Sequence, residues 1–78
     1  SRGETIGIGV TVRPHEKGYF IRSVVDGSPA FRSGLMANDI ITHVDGTHLI
    51  TQKTPEEAIK MIRGQKDTSV NITVERGG

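Results

Sequence analysis

The sequence predicts an α+β domain, with five to six short strands in a partly open, mainly antiparallel sheet and one short and one longer helix. Three observations predict it. β-Branched residues alternate with small or polar ones at Ile8-Gly9-Val10-Thr11-Val12 and again at Val70-Asn71-Ile72-Thr73-Val74, the period of half-buried strands. Thr54-Pro55-Glu56-Glu57 is a complete helix-start signal, with a cap, a proline at the first helical position and a reciprocal Glu. Asp26-Gly27 and Asp45-Gly46 cut the intervening apolar runs into short pieces,. Short strands interrupted by two helices argue for a compact, mostly antiparallel sheet.

Taken in order, Ser1 to Ile6 is short for a separate first strand, and the first clear strand follows Gly7 and Gly9. Glycines at the mouth of a strand weaken it unless the backbone there bends or approaches something closely. A Gly-x-Gly turn also offers inward-pointing N–H groups, a nest for an anion that here feeds a strand with a free edge. Pro14-His15-Glu16-Lys17-Gly18 reads as a hairpin connection,. Tyr19 to Val25 is a second strand. Ser28 caps a helix with Pro29 at its first position, and Gly34 ends it after little more than one turn,. Asp39 to Val44 is a third strand, followed by the Asp45-Gly46 turn and a short strand from His48 to Ile50,. The second helix carries acidic residues in its first turn and Lys60 and Arg63 near its end, as the helix dipole favours,. Ala58, Ile59, Met61 and Ile62 form its apolar face and Gly64 stops it,. Val70, Ile72 and Val74 mark the closing strand.

Composition narrows the chemistry. Seventy-eight residues, 33% of them apolar, make one small domain with a modest core,. Aromatics are limited to Tyr19, Phe20 and Phe31, so the core is aliphatic. The absence of cysteine excludes disulfides and cysteine-ligated zinc,. A net charge of +1 with dispersed basic residues gives nucleic-acid binding no support,. No apolar run approaches the roughly 20 residues of a membrane span. A start at Ser1 without Met reads as an excised piece of a larger protein.

Several residues invite catalytic or metal readings that the pattern does not sustain. Gly7-x-Gly9 is not a dinucleotide fingerprint, because position 12 is Val and no helix follows,. His43 and His48 fall on adjacent short strands with no carboxylate or cysteine partner, so they read as solvated strand histidines rather than metal ligands,. His15 belongs to a polar turn. Ser28 and Ser33 lie outside any Gly-x-Ser-x-Gly setting,. The Glu56-Glu57 pair is accounted for by the capping box and the dipole. Phe31 reads either as an exposed docking contact or as a side chain folded over Leu35. No cofactor and no convergent set of titratable groups emerges.

Gly7-Ile8-Gly9-Val10 resembles the Gly-Leu-Gly-Phe carboxylate-binding loop of PDZ domains. Gly27-Ser28-Pro29-Ala30, Ser33-Gly34-Leu35, Asn38-Asp39-Ile40-Ile41 and Val44-Asp45-Gly46 follow the PDZ order. The resemblance spans about Ile6 to Gly77 and is nearest to the PDZ domain of C-terminal processing (tail-specific) serine proteases. Ile6-Gly7-Ile8-Gly9-Val10, Val44-Asp45-Gly46, Glu57-Ala58 and Ile62-Arg63-Gly64 carry that finer match. Asn38 stands where a glycine commonly precedes the aspartate, and asparagine tolerates the left-handed backbone. Ser33 replaces a common alanine and leaves one hydroxyl to satisfy.

The resemblance implies a PDZ-like partly open antiparallel sandwich that binds protein C-terminal tails by strand addition. Amides around Gly7, Ile8, Gly9 and Val10 would receive the terminal carboxylate. The peptide groove would run along Thr11 and Val12 and be walled by Pro55, Ile59 and Ile62, with Ile8, Val10, Val12 and Ile62 around the last ligand side chain. Many PDZ domains begin the long helix with a histidine that bonds Ser or Thr two residues before the ligand's end. Pro55 occupies that place here, with Ile59 one turn on, so tails with apolar last and antepenultimate residues are expected; an alignment shifted by one would put Glu56 there instead. The chain itself would be non-catalytic. It would serve as the recognition domain of an attached protease or, alternatively, as a scaffolding module of a signalling adaptor. The protease resemblance would place it in a periplasm, cell envelope or thylakoid lumen.

Overall fold

Tight turns and caps set the order of the elements. The structure, a computed structural model, describes residues 4–6, 8–65 and 68–77. Its elements are β1 (Glu4–Ile6), β2 (Val10–His15), β3 (Gly18–Val24), α1 (Pro29–Arg32), β4 (Ile40–Val44), β5 (Thr47–His48), a 3-10 turn (Leu49–Thr51), α2 (Pro55–Arg63) and β6 (Ile72–Glu75). All pairings are antiparallel. They run β1-β2-β3-β4-β5, with β6 on the remaining edge of β4. This is the α+β, mainly antiparallel arrangement that the alternating strands and capped helices predict, and the PDZ-like one that the resemblance implies.

Local signals explain most boundaries. Ser28 accepts the Phe31 N–H at 3.1 Å and Pro29 opens α1. The Ser33 hydroxyl donates to the Pro29 carbonyl at 2.9 Å, so its polar atom is satisfied. Both halves of the Thr54–Glu57 capping box form at the start of α2, meeting amide donors that a helix end leaves open. Asp45 and Gly46 have φ of 50° and 82°, the paired positive values of the hairpin turn that Asp-Gly favours. Asn38 has φ 77°, so the asparagine takes the left-handed turn expected of it.

Four expectations need correction. Glu4–Ile6 does form a strand, pairing Glu4 with Val12, Thr5 with Thr11 and Ile6 with Val10. β2 continues through Pro14 to His15, which pairs with Gly18 across Glu16-Lys17. His48 to Ile50 is not one strand. The Thr51 hydroxyl donates to the His48 carbonyl at 2.7 Å and the Gln52 N–H to the Leu49 carbonyl at 3.1 Å, local bonds that compete with a ladder. The resulting turn buries Leu49 and leaves Ile50 exposed. Finally, β6 begins at Ile72 rather than at Val70.

The core is aliphatic, as composition requires. Val10 and Val12 of β2, Ile21 of β3, Ile41 and Val44 of β4, and Ala58 and Ile62 of α2 are its centre, with Tyr19 at the rim. Among the described residues one charged side chain lies within it. Asp39, 1% exposed, accepts from Arg76 Nε and from a second guanidinium nitrogen, each at 2.7 Å, and from the Met36 N–H at 2.9 Å. Arg76 also donates to the Gly34 carbonyl at 2.8 Å. The pair therefore ties the chain after β6 to the loop after α1. A bidentate guanidinium is the geometry that suits a buried carboxylate.

Hydrogen bonding from Arg76 holds the Asp39 carboxyl below its ordinary 3.8, outweighing the burial that raises it, with the Met36 amide adding to the lowering. A carboxyl whose folded pKa is depressed contributes its stability above the unfolded value and loses it as pH falls through the folded one. Denaturant titrations across that acid range are expected to show midpoint stability falling below pH 4. D39N, less stable at neutral pH, should show a shallower acid slope. An unchanged slope in D39N would assign the acid loss to other groups.

Candidate peptide-binding site

Two hydrogen bonds orient the loop that enters β2. The Ile8 carbonyl accepts the Ala30 N–H at 3.0 Å and the Gly9 carbonyl accepts the Val25 N–H at 2.8 Å. In a trans peptide the carbonyl and the following N–H point to opposite sides, and among the described residues no peptide is cis. The Gly9 N–H is thus turned away from α1, and the Val10 N–H away from β3. The Val10 N–H thus faces the outer edge of β2, at whose entrance the Gly9 N–H stands.

Gly9 is required for two reasons. Its φ is +100°, and a Cβ there would lie 2.2 Å from Ser28 Cβ and 2.4 Å from Ser28 Oγ. The residue that caps α1 therefore also forms the wall of the loop. Sequence reading identified Ser28 as a cap and missed this second role, because nothing in the local pattern reports a contact nineteen positions away.

Main-chain direction alternates along a strand. With Gly9 directed at β3, Thr11, Arg13 and His15 follow it, and the backbone groups of Val10, Val12 and Pro14 face outward. Proline sits here without loss to the β2–β3 ladder, since its missing N–H lies on the outer side. That outer edge is not free where the sequence suggested it would be. β1 pairs along it from Val10 to Val12 and brings Cα atoms within 8 Å of α2.

The expected site residues gather around that edge, except Gly7, which lies outside the described residues. Ile8, Gly9 and Thr11 are half-buried, and Val10 and Val12 are fully buried in the core. On α2, Ile62 is buried, Ile59 half-buried and Pro55 exposed at the first helical position. Pro55 shares a cleft of about 150 Å³ with Pro14, His15, Tyr19, Leu49 and Ile50. His15, read from sequence as a polar-turn residue, thus stands beside the helix position that lacks a histidine. Its Nδ1 accepts the Lys17 N–H at 3.0 Å, which leaves Nε2 as the protonated nitrogen of the neutral ring. A second cavity of about 260 Å³ lies behind the loop, lined by Ile8, Ala30, Leu35, Arg63, Val70 and Ile72.

Other candidates carry less. His43 and His48 pair across β4 and β5 with rings stacked 4.4 Å apart, half-buried rather than freely solvated. Among the described residues no group of three or more His, Cys, Asp or Glu could hold a metal ion. No described helix is long and apolar enough to cross a membrane. Phe31 is about half exposed.

A glycine-entered strand beside a helix is the arrangement of a protein-interaction module, and the chain belongs to the PDZ domain family, whose model matches residues 7–78. Its curated relatives include probable CtpA-like serine proteases of Staphylococcus haemolyticus strain JCSC1435, 33% identical over 75 residues, and of Staphylococcus aureus strains bovine RF122 and COL, each 37% identical over 75 residues. Each alignment covers 96% of this chain and 15% of the relative. The chain therefore spans a small part of the proteins it resembles.

G9A is expected to lose about 1–3 kcal/mol from backbone strain, with the Ser28 clash in addition. Glycine at an N-cap costs only a few tenths of a kcal/mol relative to serine, so S28G is a mild background. Denaturation of all four members of the cycle should give a smaller G9A penalty in S28G than in the parent. Equal penalties would remove the Ser28 contact from the account.

Proposed function

We propose that this domain binds the C-terminal tails of proteins by strand addition to β2, as the substrate-recognition domain of a C-terminal processing serine protease. The observation that carries the reading is the orientation of the Gly9 and Val10 amides at the mouth of a strand edge that faces α2. A terminal carboxylate there accepts charge-assisted bonds from main-chain donors already fixed by the Ile8–Ala30 and Gly9–Val25 bonds,. The tail runs antiparallel to β2, its last residue opposite Val10 and its antepenultimate residue opposite Val12. Pro14 offers a carbonyl but no N–H, so the ladder weakens beyond that point. Recognition is centred on the last three or four residues.

The CtpA-like relatives support placement within a protease. In that arrangement this chain selects the tail, and a catalytic domain elsewhere in the protein cuts it. The apolar lining of Ile8, Ile59 and Ile62 and the lack of a donor on Pro55 favour apolar side chains at the last and antepenultimate positions. Each neutral main-chain bond nets about 0.5–1.5 kcal/mol and each charge-assisted one about 1.5–3. Ordering the tail offsets much of this, so affinity near or weaker than micromolar, about −8 kcal/mol, is expected.

An NMR titration with a peptide whose last and antepenultimate residues are apolar, as free acid and as C-terminal amide, tests the site. Shifts at Ile8 to Val12 and along α2, lost on amidation, are expected. Equal binding of acid and amide would overturn the carboxylate loop. A tail with Val two residues from its end is expected to bind better than one with Thr. The reverse order would remove the specificity assigned to Pro55.

A further inference from the structure

The strand that fills the outer edge of β2 has the form of a ligand. β1 is antiparallel to β2 and runs toward the glycine loop, the same polarity as an incoming tail. Its register sets Ile6 opposite Val10, Thr5 opposite Thr11 and Glu4 opposite Val12. Ile6 therefore holds the place of a tail's last residue and Glu4 that of its antepenultimate one. An apolar residue stands where an apolar terminal residue is preferred. β1 also lies within 8 Å of α2, on the side where the groove's helical wall stands. What it lacks is a terminal carboxylate, because the chain continues into Gly7.

We infer that Glu4–Ile6 is an internal pseudo-ligand that occupies the acceptor edge, so that a tail binds only by displacing it. The inference rests on the reading of β2 as the acceptor and goes beyond it by assigning the edge an occupant. The connection between the strands is short, residues 7–9, so the effective concentration of β1 at its site is high. A free tail gains from its carboxylate what β1 cannot, which makes the terminal charge the feature that decides the exchange. The occupied fraction lowers apparent affinity in proportion, since only the open population binds. Uncharged internal segments of other proteins face the same occupant and lose affinity by the same factor, so the preference for a tail is set by its carboxylate.

Val10 and Val12 direct their backbone groups at β1, which makes Thr5–Thr11 the non-hydrogen-bonded pair, the type in which the chains approach most closely. In the free 78-residue chain a Thr5–Thr11 Hα–Hα NOE is expected, and it should vanish as a free-acid tail peptide saturates the site. Its absence from the free chain, or its persistence at saturation, would overturn the inference. Titrations of the parent, of a chain lacking residues 1–6, and of E4P/I6P complete the test. The two prolines remove the N–H groups that β1 turns toward β2. An open fraction near one tenth predicts about tenfold tighter binding by both altered chains. Equal affinity in all three would overturn the pseudo-ligand and leave tail binding standing. No binding by any of them would overturn tail binding, and the pseudo-ligand with it.

Discussion

The site depends on how two carbonyls are held. Ile8 and Gly9 give theirs to Ala30 and Val25, and planarity of the peptide then fixes where the next two amides point. Gly9 makes this possible by coming so close to Ser28 that no side chain fits between them. Ser28 holds its place because it caps α1, and Ala30, the next residue but one, presents its N–H at the open end of that short helix. Loop, cap and strand edge are therefore one construction. The donors that face the groove are set before any ligand arrives, which is the condition under which binding wastes least energy on reordering.

That construction must sit on a sheet that a small aliphatic core can hold. Ile62 and Ala58 lie one turn apart on α2 and both enter the core between the strands. The bidentate Asp39–Arg76 pair closes the far end, joining the residue after β6 to the segment between α1 and β4. A buried carboxylate left without its guanidinium is costly, so the pair fixes where β6 ends as firmly as it stabilises the fold. β4 then presents one edge to β3 and β5 and the other to β6, and α2 stands across from β2.

Elements governed by nearest-neighbour chemistry were legible in the sequence. The Thr54–Glu57 box, the Ser28 cap with Pro29, the Asp45-Gly46 turn and the left-handed Asn38 each follow from residues within a few positions of one another. The line of Ile8, Val10 and Val12 and its facing helix residues were legible from alternation and from resemblance. The rest needed long-range contacts. Asp39 and Arg76 are 37 positions apart and neither carries a local signal for the other. His48 to Ile50 has strand composition, yet the Thr51 hydroxyl redirects the chain. Glu4–Ile6 is too short to stand out by period, and its pairing is decided by what β2 leaves open. Pro14 looked like the start of a turn because proline is usually excluded from ladders, and the side of the strand on which its nitrogen falls cannot be read from the residue alone.

An unpaired strand edge beside an apolar groove attracts any extended chain, including copies of itself, and proteins blunt such edges with prolines and short covering strands. β2 carries both devices on its outer side, β1 over Val10 to Val12 and Pro14 beyond it. On the reading proposed above, the same two features that protect the edge also shape what it would accept. Pro14 limits how far a ladder extends, which keeps neutral main-chain bonding modest. β1 matches that modest bonding almost residue for residue, so hydrogen bonds along the edge cancel in the exchange of one strand for another. The term that does not cancel is the carboxylate at the Gly9 and Val10 amides. On the proposed reading, competition within the domain lowers the apparent affinity of tails and of internal segments by the same factor, so discrimination between the end of a chain and its interior rests on the loop. A domain with the same loop and an open edge would bind both more tightly and tell them apart equally well.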